Sequence, residues 1–369
     1  MRARPHRLER LPQQYFTELL ARVAAAATED GAALVDLGRG NPETPPPSHV
    51  IEALGRSADR SDVHGYAPFA GLPALKTAIA LRYRNVYGVT LDPEREIAVV
   101  PGSKTALMEF ALCTVERGET ILLPDPGYAD YPSAVALAGA QRASFTDFAH
   151  ADGAALYLNY PSNPTAACVP DGLFDEAVRW AERTGALVLH DFAYGDLVFD
   201  GRTPQSFLRA DGAREVGVEL FSMSKSYGMA GWRLGFVLGN AELVSRIELL
   251  QDHVLAGIFR PVQEAGIAAL TGPQESVDER RATYERRRNR TLRALQGVHA
   301  QSEGTFFVWV ELPRGVTAER LLVEHRVAVA PGEGFGSRGR GWARLSLAVT
   351  DEVLELGLDR LVQAFASRG

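Results

Sequence analysis

The chain has 369 residues, 46% hydrophobic and 23% charged, enough to bury a large core and to form two domains. Its formal charge of −7, with both signs interspersed and no basic tract, argues against a nucleic-acid surface. Two distant cysteines, Cys113 and Cys168, argue against a disulfide framework or a cysteine-based metal site, and no apolar run reaches membrane-spanning length.

The N-terminal MRARPHRLERLPQQYF lacks a signal-peptide core, so a cytoplasmic, reducing compartment is expected. Residues 13–28 (QQYFTELLARVAAAAT) read as an amphipathic helix. GRGNPETPPP at 38–47 is irregular, because glycine and proline dominate it. PALKTAIALRYRNVYG has helical period, EIAVVPG at 96–102 is a short apolar run, and SKTALMEFALCTV is helical again. TILLPDPGY, AALYLNYPSNP, ALVLHDFAYGD, VELFSMSK and LGFVLGN then repeat one design. Each is a short β-branched or leucine-rich run ending in a polar or glycine-rich loop. Helical segments such as DGLFDEAVRWAERTG separate several of them. The alternation predicts a mostly parallel sheet buried on both faces, with ligands beyond the strand ends. After Asn240 come long helices, ELVSRIELLQDHV and DERRATYERRRNRTLRAL. The end of the chain (TFFVWVELP, VAVAPG, ARLSLAV, DEVLELGLDRLVQAF) reads as a small α+β unit.

The loops carry the chemistry. Only three of the 39 basic residues are lysines: Lys76, Lys104 and Lys225. A chain that otherwise writes arginine keeps a lysine where an amine must lose its proton and attack a carbonyl. Lys225 lies in SMSKSYGMAGWRLGF, between Ser224 and Ser226, with Ser222 just before and Arg233 just after. Hydroxyls, backbone N–H groups and an arginine fork suit a phosphate dianion. An amine beside such a site points to a phosphorylated aldehyde held as a Schiff base, which describes pyridoxal 5′-phosphate. A surface lysine with a structural arginine is the plain alternative.

Asp191 ends the apolar run ALVLHD and needs a cationic partner, for which a protonated pyridine nitrogen would serve; a helix cap is the ordinary reading. Tyr194 follows three residues on, and Asn163 sits between prolines in NYPSNPT, a segment that is otherwise a turn. PGSKTALMEF lacks the glycine spacing of a nucleotide-phosphate loop, yet the N–H groups of Ser103 and Lys104 at a helix start can hold phosphate. Lys104 either adds charge there or faces solvent. Tyr128 in PDPGYADYP is placed to stack on a flat ring or to fill the core.

Together these loops resemble the fold-type I, class I/II aminotransferases over nearly the whole chain, with SMSKSYGMAGWRLGF close to that family's lysine signature. NYPSNPTAACV, HDFAYGDLVFDG and SMSKSYGMAGWR are similar to segments of bacterial alanine (glutamate–pyruvate) and LL-diaminopimelate aminotransferases. The resemblance implies an α/β fold: a large domain with a mostly parallel seven-stranded sheet between helices, and a small α+β domain from both chain ends. The expected division is 48–255 against 1–47 plus 256–369.

It also implies transamination between an L-amino acid and a 2-oxo acid, of alanine/glutamate type. Lys225 would carry pyridoxal 5′-phosphate and move the proton. Asp191 would pair with the pyridinium, Asn163 and Tyr194 would hold the ring oxygen, and Ser103, Lys104, Ser222, Ser224 and Arg233 the phosphate. Tyr66, in GYAPFAGLPALKTAIA, would reach the cofactor of a partner subunit, implying a homodimer with shared sites. Arg344, in WARLSLA, would grip the substrate carboxylate, with Gly40, Asn163 and Tyr15 beside it. Arg260, in GIFRPVQEAG, replaces a small polar residue of the relatives; it either turns outward or enters the partner's pocket and favours a second carboxylate. The rivals are a C–S β-lyase of the same fold and a cofactor-sensing regulatory domain. The chain shows no attached DNA-binding module or basic arm, which counts against the second.

Overall fold

The computed structural model describes residues 4–28 and 33–366. Residues 1–3, 29–32 and 367–369 of the expected small domain lie outside the described residues. Thirteen strands are present among the described residues. β1 is Val35–Asp36, β2 Ile97–Val100, β3 Thr120–Pro124, β4 Gln141–Phe145, β5 Ala155–Asn159, β6 Leu187–Asp191, β7 Gly217–Ser222 and β8 Gly235–Gly239. The later strands are β9 Ala300–Gln301, β10 Phe307–Glu311, β11 Val327–Ala328, β12 Ala330–Pro331 and β13 Trp342–Ser346.

Seven strands form the main sheet, in the order β2-β8-β7-β6-β5-β3-β4. All neighbours run parallel except β8, which is antiparallel to both β2 and β7. The central strands β5 and β7 are buried at every position, as strands covered on both faces require; the one charged residue there, Glu219 of β7, is hydrogen-bonded. β4 is the exception. Its sequence QRASF is mostly exposed, and it closes the edge of the sheet beside β3. A polar edge strand discourages pairing with another chain and leaves no hydrophobic signature to read.

The second sheet has the order β12-β13-β10-β9, and β1 pairs separately with β11. Leu37, Val308, Leu345, Leu358 and Leu361 share its core with the C-terminal helix Asp351–Ala366. The N-terminal helix Tyr15–Ala27 packs Leu19, Val23 and Ala26 against Trp309, Leu322 and Phe335. Helix Arg260–Thr271 buries Ala265, Ala269 and Leu270 in the core of the main sheet, although the sequence reading put everything after 255 with the small domain.

One buried polar network crosses these units. Arg82 donates from Nη2 to Asp196 Oδ1 at 2.7 Å, and the Tyr87 hydroxyl donates to the same oxygen at 2.6 Å. Arg82 Nη1 and the Tyr227 hydroxyl both donate to Gln274 Oε1 at 2.8 Å. The network joins helix Pro73–Arg82, the loop after β6, the turn after β7 and the start of helix Glu275–Ala294. Removing one member of a buried pair leaves the other charge uncompensated. Arg82→Met is therefore expected to lower stability by about 3–5 kcal/mol in urea unfolding, whereas the Arg82→Met/Asp196→Leu double variant recovers most of that loss.

Candidate active site

The strand ends of the main sheet and the edge of the second sheet enclose a cavity of about 560 Å³. Ser103, Lys104, Tyr128, Asn163, Asp191, Tyr194, Ser224, Lys225, Arg233, Gly40 and Arg344 all line it, so eleven residues singled out in the sequence converge there.

Lys225 lies in the one-turn helix Met223–Ser226 that follows β7. Ser222 caps that turn, its hydroxyl accepting from the Ser224 N–H at 3.2 Å. Capping turns the Ser222 side chain into the protein: it is fully buried and absent from the cavity wall, while Ser224 lines it. The Lys225 amine is half-buried, donates to the Gly40 carbonyl at 3.2 Å, and lies 5.8 Å from the centre of the Tyr194 ring. Burial, followed by the positive charges of Arg344 and Arg233, brings its pKa down to about 8, with Asp191 opposing.

Asp191 ends β6 and is buried. It accepts from the Tyr131 hydroxyl at 2.8 Å and from the Ala193 N–H at 3.2 Å, and makes no ion pair among the described residues. Burial pushes its carboxyl above the usual range, against the pull of the Tyr131 bond. Beneath it, His190 Nε2 donates to the Tyr160 carbonyl at 2.9 Å and Nδ1 shares a 2.8 Å bond with Glu219. Glu219 also accepts from the hydroxyls of Tyr83 and Ser206, each at 2.8 Å, which fixes the ends of β6 and β7 against each other. Asn159 donates to the Asp191 carbonyl at 2.8 Å and accepts from the Asn163 N–H at 2.7 Å, tying the β5 loop to the β6 end. Asn159 and Tyr131 were not singled out in the sequence. Their signal was in plain sight, a polar residue closing an apolar strand and a second tyrosine in PDPGYADYP.

Arg344 stands on β13, paired on one side with Trp309 of β10 and on the other with Ala330 of β12. It is fully buried, and its guanidinium lies 4.0 Å from the centre of the Phe307 ring. It donates to Asn163 Oδ1 at 2.7 Å and to the Gly38 carbonyl at 3.1 Å; its Nε has no partner among the described residues. Burial lowers its pKa. A side chain at Gly40 would begin 3.4 Å from Arg344 Nη2, so glycine leaves the approach to this fork open. Tyr194 is buried, its hydroxyl is pushed upward by burial and stays protonated, and Asn163 reaches it by hydrogen bond.

Opposite, helix Ser103–Thr114 points its N-terminus into the cavity after Gly102, whose φ of 86° favours glycine. A Cβ on Gly102 would fall 2.1 Å from Arg233 Nη2, so the backbone and the guanidinium share one close cradle. Arg233 itself has a left-handed φ of 57° and donates to the Ala230 carbonyl at 2.8 Å. Lys104 does not simply face solvent, for its amine pairs with buried Asp130 at 2.9 Å.

Besides Ser222, two expected residues, Tyr15 and Tyr66, lie elsewhere. Tyr15 packs on Phe335 and donates to the Pro331 carbonyl at 2.8 Å, outside this cavity. Its neighbour Phe16 lines the wall instead, because one residue is a 100° turn on a helix. Tyr66 is 87% exposed and does not reach the cavity of its own chain. Arg260 does not line this cavity; it donates to Glu264 at 2.7 Å beside Asp62.

The residues present fit pyridoxal 5′-phosphate: a buried carboxylate without a cation, a helix N-terminus with an arginine, and an amine between them. Comparison with known proteins agrees. The profile of the family "Aminotransferase class I and II" matches residues 32–361. The chain is 41% identical to L-glutamine–4-(methylsulfanyl)-2-oxobutanoate aminotransferase of Bacillus subtilis, covering 95% of this chain and 93% of that one. It is 37% identical to the glutamate–pyruvate aminotransferase AlaC of Escherichia coli, covering 92% and 89%. The solved structure of substrate-bound BacF from Bacillus subtilis superposes with a TM-score of 0.92 at 35% identity, covering 98% of both chains. The chain belongs to the class I and II aminotransferases, fold-type I enzymes that use pyridoxal 5′-phosphate to move an amino group from an amino acid to a 2-oxo acid.

Proposed function

We propose that Lys225 is the covalent anchor of the cofactor and the carrier of the transferred proton, and that Arg344 grips the α-carboxylate of each substrate. The observation behind this reading is that one cavity gathers a low-pKa amine, a carboxylate without a cation and a guanidinium without a carboxylate. Bound there, the cofactor supplies an electron sink and stores the amino group between two half-reactions. Asp191 would face the ring nitrogen and favour its protonated form. Asn163 and Tyr194 would donate to the ring oxygen, since Asn163 already spends its carbonyl on Arg344 and keeps its amide donors. Ser103, Lys104, Ser224 and Arg233 would hold the phosphate at the helix N-terminus, and Tyr128 would cover the ring. Ser222 supports this set by fixing Ser224.

A free amine with a pKa near 8 accepts a proton at physiological pH far more readily than an ordinary lysine. Arg344 fixes the substrate so that one face of its α-carbon meets that amine.

The same reading assigns Tyr66 to a partner subunit. Tyr66, Phe69 and Phe259 are exposed aromatics on segments that touch each other, Phe259 lying 6.1 Å from the His64 ring and the Gly257 backbone packing on Ala67 and Pro68. Such a patch on a folded surface suits a homodimer with shared sites. We place the domain change near Gln274, where helix Arg260–Thr271 ends, rather than at 256. Cys113 and Cys168 are both free, which suits the cytoplasm. Among the described residues no helix is long and apolar enough to cross a membrane. Alanine/glutamate exchange remains the reading that the sequence motifs favour. The relatives named above differ in substrate, so the choice of side chain falls to the cavity wall.

Borohydride reduction of the loaded enzyme, followed by peptide mapping, is expected to place the label on Lys225; a label on Lys76 or Lys104 overturns the assignment. Lys225→Arg is expected to keep the fold and lose at least about 100-fold in turnover, because a guanidinium does not give up its proton. In the cofactor-free protein, acylation of Lys225 followed by mass spectrometry is expected to rise with pH through about 8, with half-reaction well below the ordinary lysine value of 10.5. Sedimentation and activity measured on dilution are expected to fall together; a fully active monomer overturns site sharing.

A further inference from the structure

Apart from Asp36, Arg39 and Asn41, the side chains of the cavity wall not taken up by the cofactor set are apolar. Helix Tyr15–Ala27 presents Phe16, Leu19, Leu20 and Val23 to it, at the i, i+3, i+4 and i+7 spacing of one helical face. Leu19 and Val23 are anchored in the core formed with Trp309 and Phe335. Leu20 is 45% exposed and lines the cavity, an open leucine facing the cleft.

The charges around this wall are already matched. Arg39 donates to Asp36 at 2.6 Å, and Asp36 also accepts from the Gly38 N–H. Lys104 pairs with Asp130. Once Lys225 and Arg233 are given to the cofactor, Arg344 is the one cation of the lining without a carboxylate partner among the described residues. One guanidinium fork holds one carboxylate. A second carboxylate on the substrate would meet only Arg39, which is solvent-exposed and already held by Asp36 through its Nε, or lie unpaired against leucine and phenylalanine.

Resting on the aminotransferase reading above, we infer that the preferred substrate of this site is a monocarboxylic amino acid, or its 2-oxo acid, with an uncharged apolar side chain: branched aliphatic, thioether or aromatic. Leu20 is a specificity-determining residue for it. This runs against the glutamate half of the alanine/glutamate exchange that the sequence motifs favour, and against the dicarboxylate preference that Arg260 would give by entering a partner's pocket.

Two measurements test it. Single-turnover reaction of the loaded dimer is followed by cofactor absorbance with L-methionine, L-leucine, L-phenylalanine, L-alanine, L-glutamate and L-aspartate. The apolar amino acids are expected to react with a specificity constant at least about tenfold above glutamate and aspartate. Leu20→Ala is expected to cost methionine and leucine about tenfold more than alanine, and Leu20→Arg to shift the ratio toward glutamate. Binding of unreactive acids by calorimetry gives a readout independent of turnover: 4-methylpentanoate is expected to bind at least about tenfold tighter than glutarate. Glutamate or aspartate reacting as fast as leucine, together with equal binding of the two acids, overturns this inference and leaves transamination intact. No reaction with any amino acid overturns the assignment of the site itself. Release of pyruvate from a cysteine conjugate without any 2-oxo acid would place the chain among C–S lyases, overturning both.

Discussion

A fully buried guanidinium without a carboxylate partner among the described residues sits where the two sheets meet, and much of the structure is arranged to keep it there. Arg344 arises from the second sheet, yet its hydrogen bonds go to Asn163 from the main sheet and to Gly38 in the N-terminal segment. Three parts of the chain, far apart in sequence, share one cation. Desolvating that charge is costly, and the protein offsets only part of the cost with two neutral acceptors and three aromatic faces. The remaining Nε donor is unmet. A site built this way is primed for an anion of fixed geometry, and it disfavours substrates that carry none.

Asp191 is the electrostatic mirror of Arg344. It too is buried without an ion pair, and its neighbours are neutral donors from Tyr131 and Ala193. Lys225 feels both: Arg344 lowers its pKa and Asp191 raises it, with burial deciding the direction. The three charges are set by burial more than by contact. Neutralising Arg344 or Asp191 would therefore shift Lys225 through space.

The alternation of apolar strands and helices made the main sheet legible, because a strand buried on both faces has no other pattern to show. Asp191 and Lys225 were legible for a related reason: each follows an apolar run, where ordinary packing gives it nothing to do. Asn163 and Arg344 stood out only through the resemblance of NYPSNPT and WARLSLA to family segments. β4 was illegible, since QRASF is a polar edge. Ser222 and Ser224 could not be separated in the sequence, because which hydroxyl caps the turn depends on backbone direction. Tyr15 and Phe16 differ by one step of a helix whose phase is fixed only by its contacts with Trp309 and Phe335. The Arg82–Asp196 pair spans 114 residues and leaves no local trace. The wall of Phe16, Leu19, Leu20 and Val23 looks in sequence like any core-facing helix, and only the fold shows that part of that face looks into a cleft.

The reversed strand β8 has a consequence for the entropy of the lysine loop. Because β8 runs back beside β7, Ser222 pairs directly with Gly235, and the segment between them is a closed loop pinned at its neck. A parallel strand in that place would have to begin at the far end of the sheet, and the chain would need a long crossover to reach it. Here Lys225 and Arg233 ride on one short loop whose closure costs little and whose ends cannot drift apart. The amine and the guanidinium are thus spaced by local chain geometry, like two fingers of one hand, whereas the groups outside this loop depend on distant segments arriving in register.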